Sequence, residues 1–228
     1  MIANKKEFGG GLALLVAFFV VLFIMFQPVF SGHNAMQYLD NLYNSISKGS
    51  VDYADQLKSV AGKLTDKDVT LTMTYADANV AAQSATMLTL TGAAVTTAGA
   101  TLTVSGSLGA MLAASLDDSK VLYNNDGDAL KAKYGIEGRR VLYNWWVTMN
   151  QIEKSLTKQK AFDAAKDVST IQKKAVEAAY NYFGVEAMHI SEKMGMVGFS
   201  LVFYVFYTLW YGFAILFLFE GWGLRLSH

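Results

Sequence analysis

Two histidines beside the apolar ends of this chain are its best-placed residues for chemistry. His33 follows the apolar run Gly11–Phe30, and His189 precedes the run Met194–Phe219. If the two runs form an antiparallel helix pair, both imidazoles stand at similar depth on one side of it. Neutral imidazoles so placed can ligate haem iron or another metal, with Asp40, Glu186 and Glu192 as further ligands. No conventional ligand spacing accompanies them, and ordinary hydrogen bonding at a polar boundary is the simpler expectation. No cofactor is assigned from the sequence.

A second cluster is oxygen-rich: Asp117, Asp118, Asn124, Asp126 and Asp128. An EF-hand loop needs Gly directly after its third ligand position, whereas Ala129 follows Asp128. A solvated loop is expected there rather than a calcium site. Ser105-Gly106-Ser107-Leu108-Gly109 lies between a strand pattern and a helix pattern, where backbone N–H groups can hold an anion. It lacks the P-loop Lys and the dinucleotide-binding spacing, so helix capping accounts for it. There is no HExxH and no nucleophile elbow. The absence of Cys removes thiol catalysis, disulfides and Cys-ligated metals together. The chain is not expected to be an enzyme.

The elements that would position these residues begin with Met194–Phe219, which carries no charge between Lys193 and Glu220. It exceeds the ~20 residues a helix needs to cross a bilayer's hydrocarbon core. Trp222 sits where an interfacial anchor is expected, and Glu220 reads as an interfacial carboxylate near Arg225. Gly11–Phe30, preceded by Lys5 and Lys6, is the second predicted transmembrane helix. Its length argues for a retained anchor rather than a signal peptide cleaved near Val29-Phe30-Ser31. Lys5 and Lys6 at one end, and Arg225 with His228 at the other, favour a cytoplasmic location for both termini. Residues 31–193 are then extracytoplasmic, as in a bacterial inner-membrane protein. A hydrophobic content of 53% and a mean hydropathy of +0.25 agree with membrane segments, and a net charge of zero argues against nucleic acid.

Between the runs the pattern is mostly helical. Met36, Leu39, Leu42, Tyr43 and Ile46 share one face of a helix expected to continue outward from the first run and to stop near Lys48-Gly49-Ser50. Val69, Leu71, Met73 and Tyr75 alternate with Thr, as in a half-buried strand. Asp77 can cap a helix ending at Gly92, two short strands follow around Ala98-Gly99, and Ser107 can cap a helix through Leu116. Residues 65–120 thus read as a small β-α-β-β-α unit, ferredoxin-like without its last strand. The uncharged stretch Ala78–Leu116 admits a third membrane segment as the competing reading. Val121–Tyr134 contains Asn124-Asn125-Asp126-Gly127-Asp128, which reads as a loop. Leu142, Trp145, Met149, Ile152 and Leu156 form a helical seam, and a further amphipathic helix runs from Phe162 to Phe183.

The expected fold is a mainly α membrane protein: two transmembrane helices flank an extracytoplasmic helical bundle with a small inserted α+β unit. Its parts are 1–10, the span 11–30, helices in 31–64, the α+β unit 65–120, loop and helices in 121–193, the span 194–219, and 220–228. Gly198, Val205 and Gly212 recur every seventh residue, Ser200, Tyr204, Thr208 and Tyr211 form a polar face, and Ala13 and Ala17 give the first run a small patch. Small residues let helices approach, so Gly212 is expected close to Ala13 and Ala17. Ala13, Ala17, Gly198, Tyr204, Tyr211 and Gly212 are therefore the expected interface residues.

The expected partners are the lipid bilayer, further copies of the chain or other membrane subunits, and not nucleic acid. Residues 1–10 and 220–228 are short for a cytoplasmic output domain. A non-catalytic membrane subunit is the leading expectation. A ligand- or metal-binding module signalling through a partner is the alternative, and a homo-oligomeric channel ranks below it.

Overall fold

The computed structural model describes residues 2–30, 32–50 and 52–224. Ser31, Arg225 and His228, on which parts of the expected boundaries and orientation rest, lie outside the described residues. The chain is mainly helical with one small three-stranded antiparallel sheet. It divides into two compact units, Met1–Ile46 with Ala187–His228, and Ser47–Glu186.

The first unit is built on two long helices that pack together. Helix α1 spans Lys5–Met25, capped by Asn4, whose Oδ1 accepts from Lys6 N at 3.1 Å. It takes in the two lysines expected before the helix, and it ends short of Phe30. Pro28 explains the stop, because it has no N–H and disfavours helical geometry in the residue before it. Phe30 and His33 then exchange backbone hydrogen bonds of 3.0 and 2.9 Å across Gly32, which sits at φ +83°. The continuous helix expected through this region is therefore broken.

Helix α2, Ala35–Lys48, restarts at a reciprocal cap. Gln37 N donates to Asn34 Oδ1 at 2.9 Å, and Asn34 N donates to Gln37 Oε1 at 3.2 Å. The last helix of the chain, Met194–Trp222, is closed by Gly223 in the left-handed conformation. It and α1 are long and apolar enough to cross a membrane, and only 6% and 11% of their respective apolar windows are buried. A core helix of a soluble globule hides such a surface, whereas this pair turns it outward.

In the second unit the helix α3 (Ala54–Gly62) leads to β1 (Asp68–Thr74), α4 (Ala78–Thr89), β2 (Ala94–Ala98), β3 (Thr101–Ser107) and α5 (Leu108–Tyr123). The sheet order is β1-β3-β2, with β3 antiparallel to both neighbours, so β1 and β2 run parallel on either side of it. Val69, Leu71 and Met73 point inward and the Thr residues between them outward, as the alternation predicts. Asp77 and Ser107 cap α4 and α5. The stretch Ala78–Leu116 forms sheet and helices instead of the competing third apolar span.

Val121–Tyr134 departs from expectation, because α5 runs on to Tyr123 and a further helix, α6 (Gly127–Tyr134), leaves only residues 124–126 outside helices. Asp126 Oδ1 accepts from Ala129 N at 3.1 Å to start it, and Gly135 at φ +72° ends it. The seam of Leu142, Trp145, Met149, Ile152 and Leu156 lies on α7 (Gly138–Lys158), all five buried. The next helix is not continuous: α8 (Phe162–Ile171) passes through a π turn, Gln172–Val176, into α9 (Glu177–Tyr182). One contiguous core, from Leu57 to Ala179, is shared by the sheet and the helices. The last helix of the first unit, Met194–Trp222, is therefore α10.

Candidate functional site

The α1–α10 pair is the most distinctive surface of the first unit. Ser200, Phe203, Tyr207, Trp210 and Ala214 recur at steps of three and four residues, which lines one face of α10 along α1. Phe18 stacks on Tyr207 with ring centres 4.3 Å apart, and Trp210 Nε1 donates to Leu14 O at 3.1 Å. At the other end of the pair, Ala3 N and Asn4 N both donate to Gly221 O at 2.9 Å.

Backbones come closest at two glycines. A Cβ on Gly11 would lie 2.7 Å from Leu218 N and 2.9 Å from Ala214 O, and one on Gly221 would lie 2.3 Å from Phe8 N. A Cβ on Gly212 or Gly198 would meet nothing within 4 Å. The close approach expected between Gly212 and Ala13 and Ala17 is thus made by Gly11 and Gly221. The physical reason is phase: at ~100° per residue, Gly198, Leu201, Val205, Thr208 and Gly212 fall on the side of α10 opposite Tyr207 and Ala214.

All six residues expected at an interface are exposed on the single chain: Ala13, Ala17, Gly198, Tyr204, Tyr211 and Gly212. Of these, Tyr211 still reaches Phe18, with ring centres 5.1 Å apart. Phe199, Tyr204 and Phe206 are more than three-fifths exposed, an aromatic surface that α1 does not cover. Near the α2 end of the unit, Tyr43 OH and Ser200 Oγ share a 2.6 Å hydrogen bond beside an apolar cavity of about 350 Å³ bordered by Phe30, Tyr38, Phe199 and Phe203.

The histidines have local roles. His33 is exposed in the turn with Phe30, and His189 starts the short turn Ile190–Glu192, its N–H donating to Glu192 Oε1 at 3.2 Å. Among the described residues no group of three or more His, Asp or Glu side chains is gathered for a metal ion. The oxygen-rich stretch disperses: Asp117 pairs with Lys58 at 3.2 Å, Asp126 caps α6, and Asp118 turns into the core at 1% exposure.

The expected anion loop is also committed. Leu108 N donates to Lys67 O and Gly109 N to Leu64 O, each at 2.9 Å, while Ala110 N donates to Ser107 Oγ at 3.2 Å. These donors of the α5 N-terminus already have partners. A Cβ on Gly109 would come within 2.4 Å of Thr65 N, so glycine is there for helix packing.

Two buried polar centres escaped the sequence reading. The Lys48 ammonium donates to Asn125 Oδ1 (2.9 Å), Tyr182 O (3.1 Å) and Val185 O (2.6 Å), and only 4% of the residue is exposed. Burial pulls its pKa below the ordinary lysine value, against the raising influence of Glu186. Tyr123 OH donates to Lys48 O, and burial, reinforced by Asp52, Tyr182 and Tyr53, pushes that phenol up to about 12. The ammonium occupies carbonyls at the end of α9, the favourable place for a cation on a helix.

The second centre is Asp118, which accepts from Lys133 Nζ at 2.8 Å, Tyr134 OH at 2.6 Å and Trp145 Nε1 at 2.7 Å. Burial raises the Tyr134 pKa, and the Asp118 carboxylate raises it further, so the phenol keeps the proton it donates. Both centres are satisfied ties between helices rather than open sites. No protein-family model matches the chain, and no curated protein and no solved structure matches it.

Proposed function

We propose that the chain is a non-catalytic integral membrane subunit that assembles, with its own copies or with other membrane subunits, through α1, α10 and the central helical region. In this reading α1 and α10 are the two transmembrane helices, both termini are cytoplasmic, and the central part, including the small β-α-β-β-α region, is extracytoplasmic in a bacterial inner membrane. The observation that carries it is the surface of α10. One face is used against α1, while Phe199, Tyr204 and Phe206 and the open seam of Gly198 and Gly212 stay uncovered. Lipid can cover aromatic side chains, but a glycine seam favours the close backbone approach of another helix.

Gly198 and Gly212 separate assembly from folding, because neither is used within the chain. The wild type, extracted in mild detergent, is expected to migrate as an oligomer or with companion subunits. Gly198→Leu with Gly212→Leu should shift it toward the monomer while preserving its helix content. A wild type that stays monomeric at every concentration, and brings nothing with it from native membrane, defeats the assembly reading.

Orientation is open to direct labelling, because the chain has no Cys to give background. Leu90→Cys, on an exposed site of the second unit, should react with a membrane-impermeant maleimide added to intact cells, and Lys5→Cys should react only after lysis. The opposite pattern overturns the orientation without touching the assembly claim.

A further inference from the structure

In the second unit α7 faces α9. Tyr143 and Trp146, one turn apart on α7, and Glu177, Tyr180 and Asn181, one turn apart on α9, line a cavity of about 280 Å³. Tyr143 and Trp146 are each 38% exposed, and their rings stack with centres 6.4 Å apart at 27°. Trp145, their neighbour in sequence, is fully buried, so the adjacent Trp pair divides between core and cavity.

The wall is built with care. The π turn Gln172–Val176 immediately precedes Glu177, and such turns are concentrated at functional sites. Gln172, only 4% exposed, sends Nε2 to Trp146 O at 2.8 Å and so ties the π turn to the aromatic wall.

Charge decides what this cavity suits. The face of an aromatic ring carries negative partial charge and attracts cations. The rings already do so on the protein's own behalf: Arg139 lies 4.7 Å from the centre of the Tyr180 ring, and Arg140 lies 5.0 Å from that of Tyr143. Neither guanidinium lines the cavity, and Arg140 is also held by Gln83, its Nε donating at 3.3 Å. Their charge opposes a further cation, and the Glu177 carboxylate on the cavity wall counters one of the two positive charges. A primary ammonium is a compact, strongly hydrated charge that must shed water to enter a wall made mostly of aromatic rings. A methylated ammonium carries less of that demand and presents methyl groups to the rings.

We infer that this cavity binds a small ligand bearing a methylated ammonium group, with Tyr143, Trp146 and Tyr180 taking the cation and Glu177 supplying the counter-charge. The volume lies just below the ~300–1,000 Å³ usual for drug-sized ligands, which fits a compact head such as choline. The inference does not rest on the assembly reading.

The test is calorimetric titration of the full-length protein in a maltoside detergent with choline and with tetramethylammonium. Dimethylbutanol, the uncharged carbon analogue of choline, serves as the control. Saturable binding of both cations is expected, with the alcohol at least about tenfold weaker. Glu177→Gln and Trp146→Leu, both at exposed positions, should each weaken choline binding about tenfold with the far-UV spectrum unchanged. Arg139→Gln should leave binding intact or tighten it. No saturable binding of either cation, equal binding of the alcohol, or insensitivity to both Glu177→Gln and Trp146→Leu overturns the proposal. Loss of binding in Arg139→Gln overturns it in favour of an anionic group.

Discussion

Asp118→Ala is expected to lower the stability of the second unit by about 3–5 kcal/mol, the loss usual when one member of a buried charged network is removed. The carboxylate is 1% exposed and draws together three helices, with Lys133 and Tyr134 on α6 and Trp145 on α7 donating to a residue of α5. Removing it leaves the indole N–H of a fully buried Trp without its acceptor and the phenol of Tyr134 without its own. Two controls divide the effect. Asp118→Asn keeps one acceptor oxygen and should lose less. Trp145→Phe removes one donor to the carboxylate together with part of a fully buried ring, and should cost about 1.5–3 kcal/mol or more. Urea unfolding of the full-length protein in mild detergent, followed by near-ultraviolet circular dichroism, measures all three. An Asp118→Ala midpoint equal to that of the wild type would show that the network contributes nothing net.

The same residue shows where the sequence stops being readable. Asp118 and its neighbours look like an oxygen-rich loop because sequence spacing cannot reveal which carboxylates turn inward. The donors that hold Asp118 come from α6 and α7, and α6 itself lies in a stretch read as loop. By contrast, β1, α4, β2, β3 and α5 could be located from alternation and from caps at Asp77 and Ser107, because those signals are local. The break after α1 was also local in origin: Pro28 is visible in the sequence, but the apolar run continues to Phe30 and conceals the end of the helix. The π turn at Gln172–Val176 has no comparable sequence mark. It leaves the seam of Val168, Ile171, Ala175 and Ala179 buried while setting Glu177 and Tyr180 on the wall facing Trp146.

The helix pair gives the sharper lesson, since its contact face was present in the sequence as Ser200, Phe203, Tyr207, Trp210 and Ala214. Glycine drew attention to the wrong side, because glycines at seven-residue spacing suggest close packing wherever they occur. The distances separate the two sides of α10. Gly11 and Gly221 have no room for a Cβ, with Leu218 N and Phe8 N at 2.7 and 2.3 Å from its position, and Gly212 has open space. Backbone atoms of a partner helix cannot move aside as the end of a flexible side chain can. Gly11→Leu and Gly221→Leu are therefore each expected to force α1 and α10 apart, at about 1–3 kcal/mol or more for overpacking a close contact. Separation should also strain the bonds from Ala3 N and Asn4 N to Gly221 O and from Trp210 Nε1 to Leu14 O.

A pair of cysteines placed at Phe18 and Tyr207, whose ring centres stand 4.3 Å apart across the two helices, reports the separation, since the chain has none of its own. Oxidative crosslinking of that pair should be efficient in the parent, sharply reduced with Gly11→Leu or Gly221→Leu, and unchanged with Gly212→Leu. Equal crosslinking in all of them would mean that the helices tolerate side chains at Gly11 and Gly221, and the close packing of the pair would have to be given up. Reduced crosslinking with Gly212→Leu alone would move the intramolecular face back to the glycine seam, and with it remove the free surface on which the assembly reading depends.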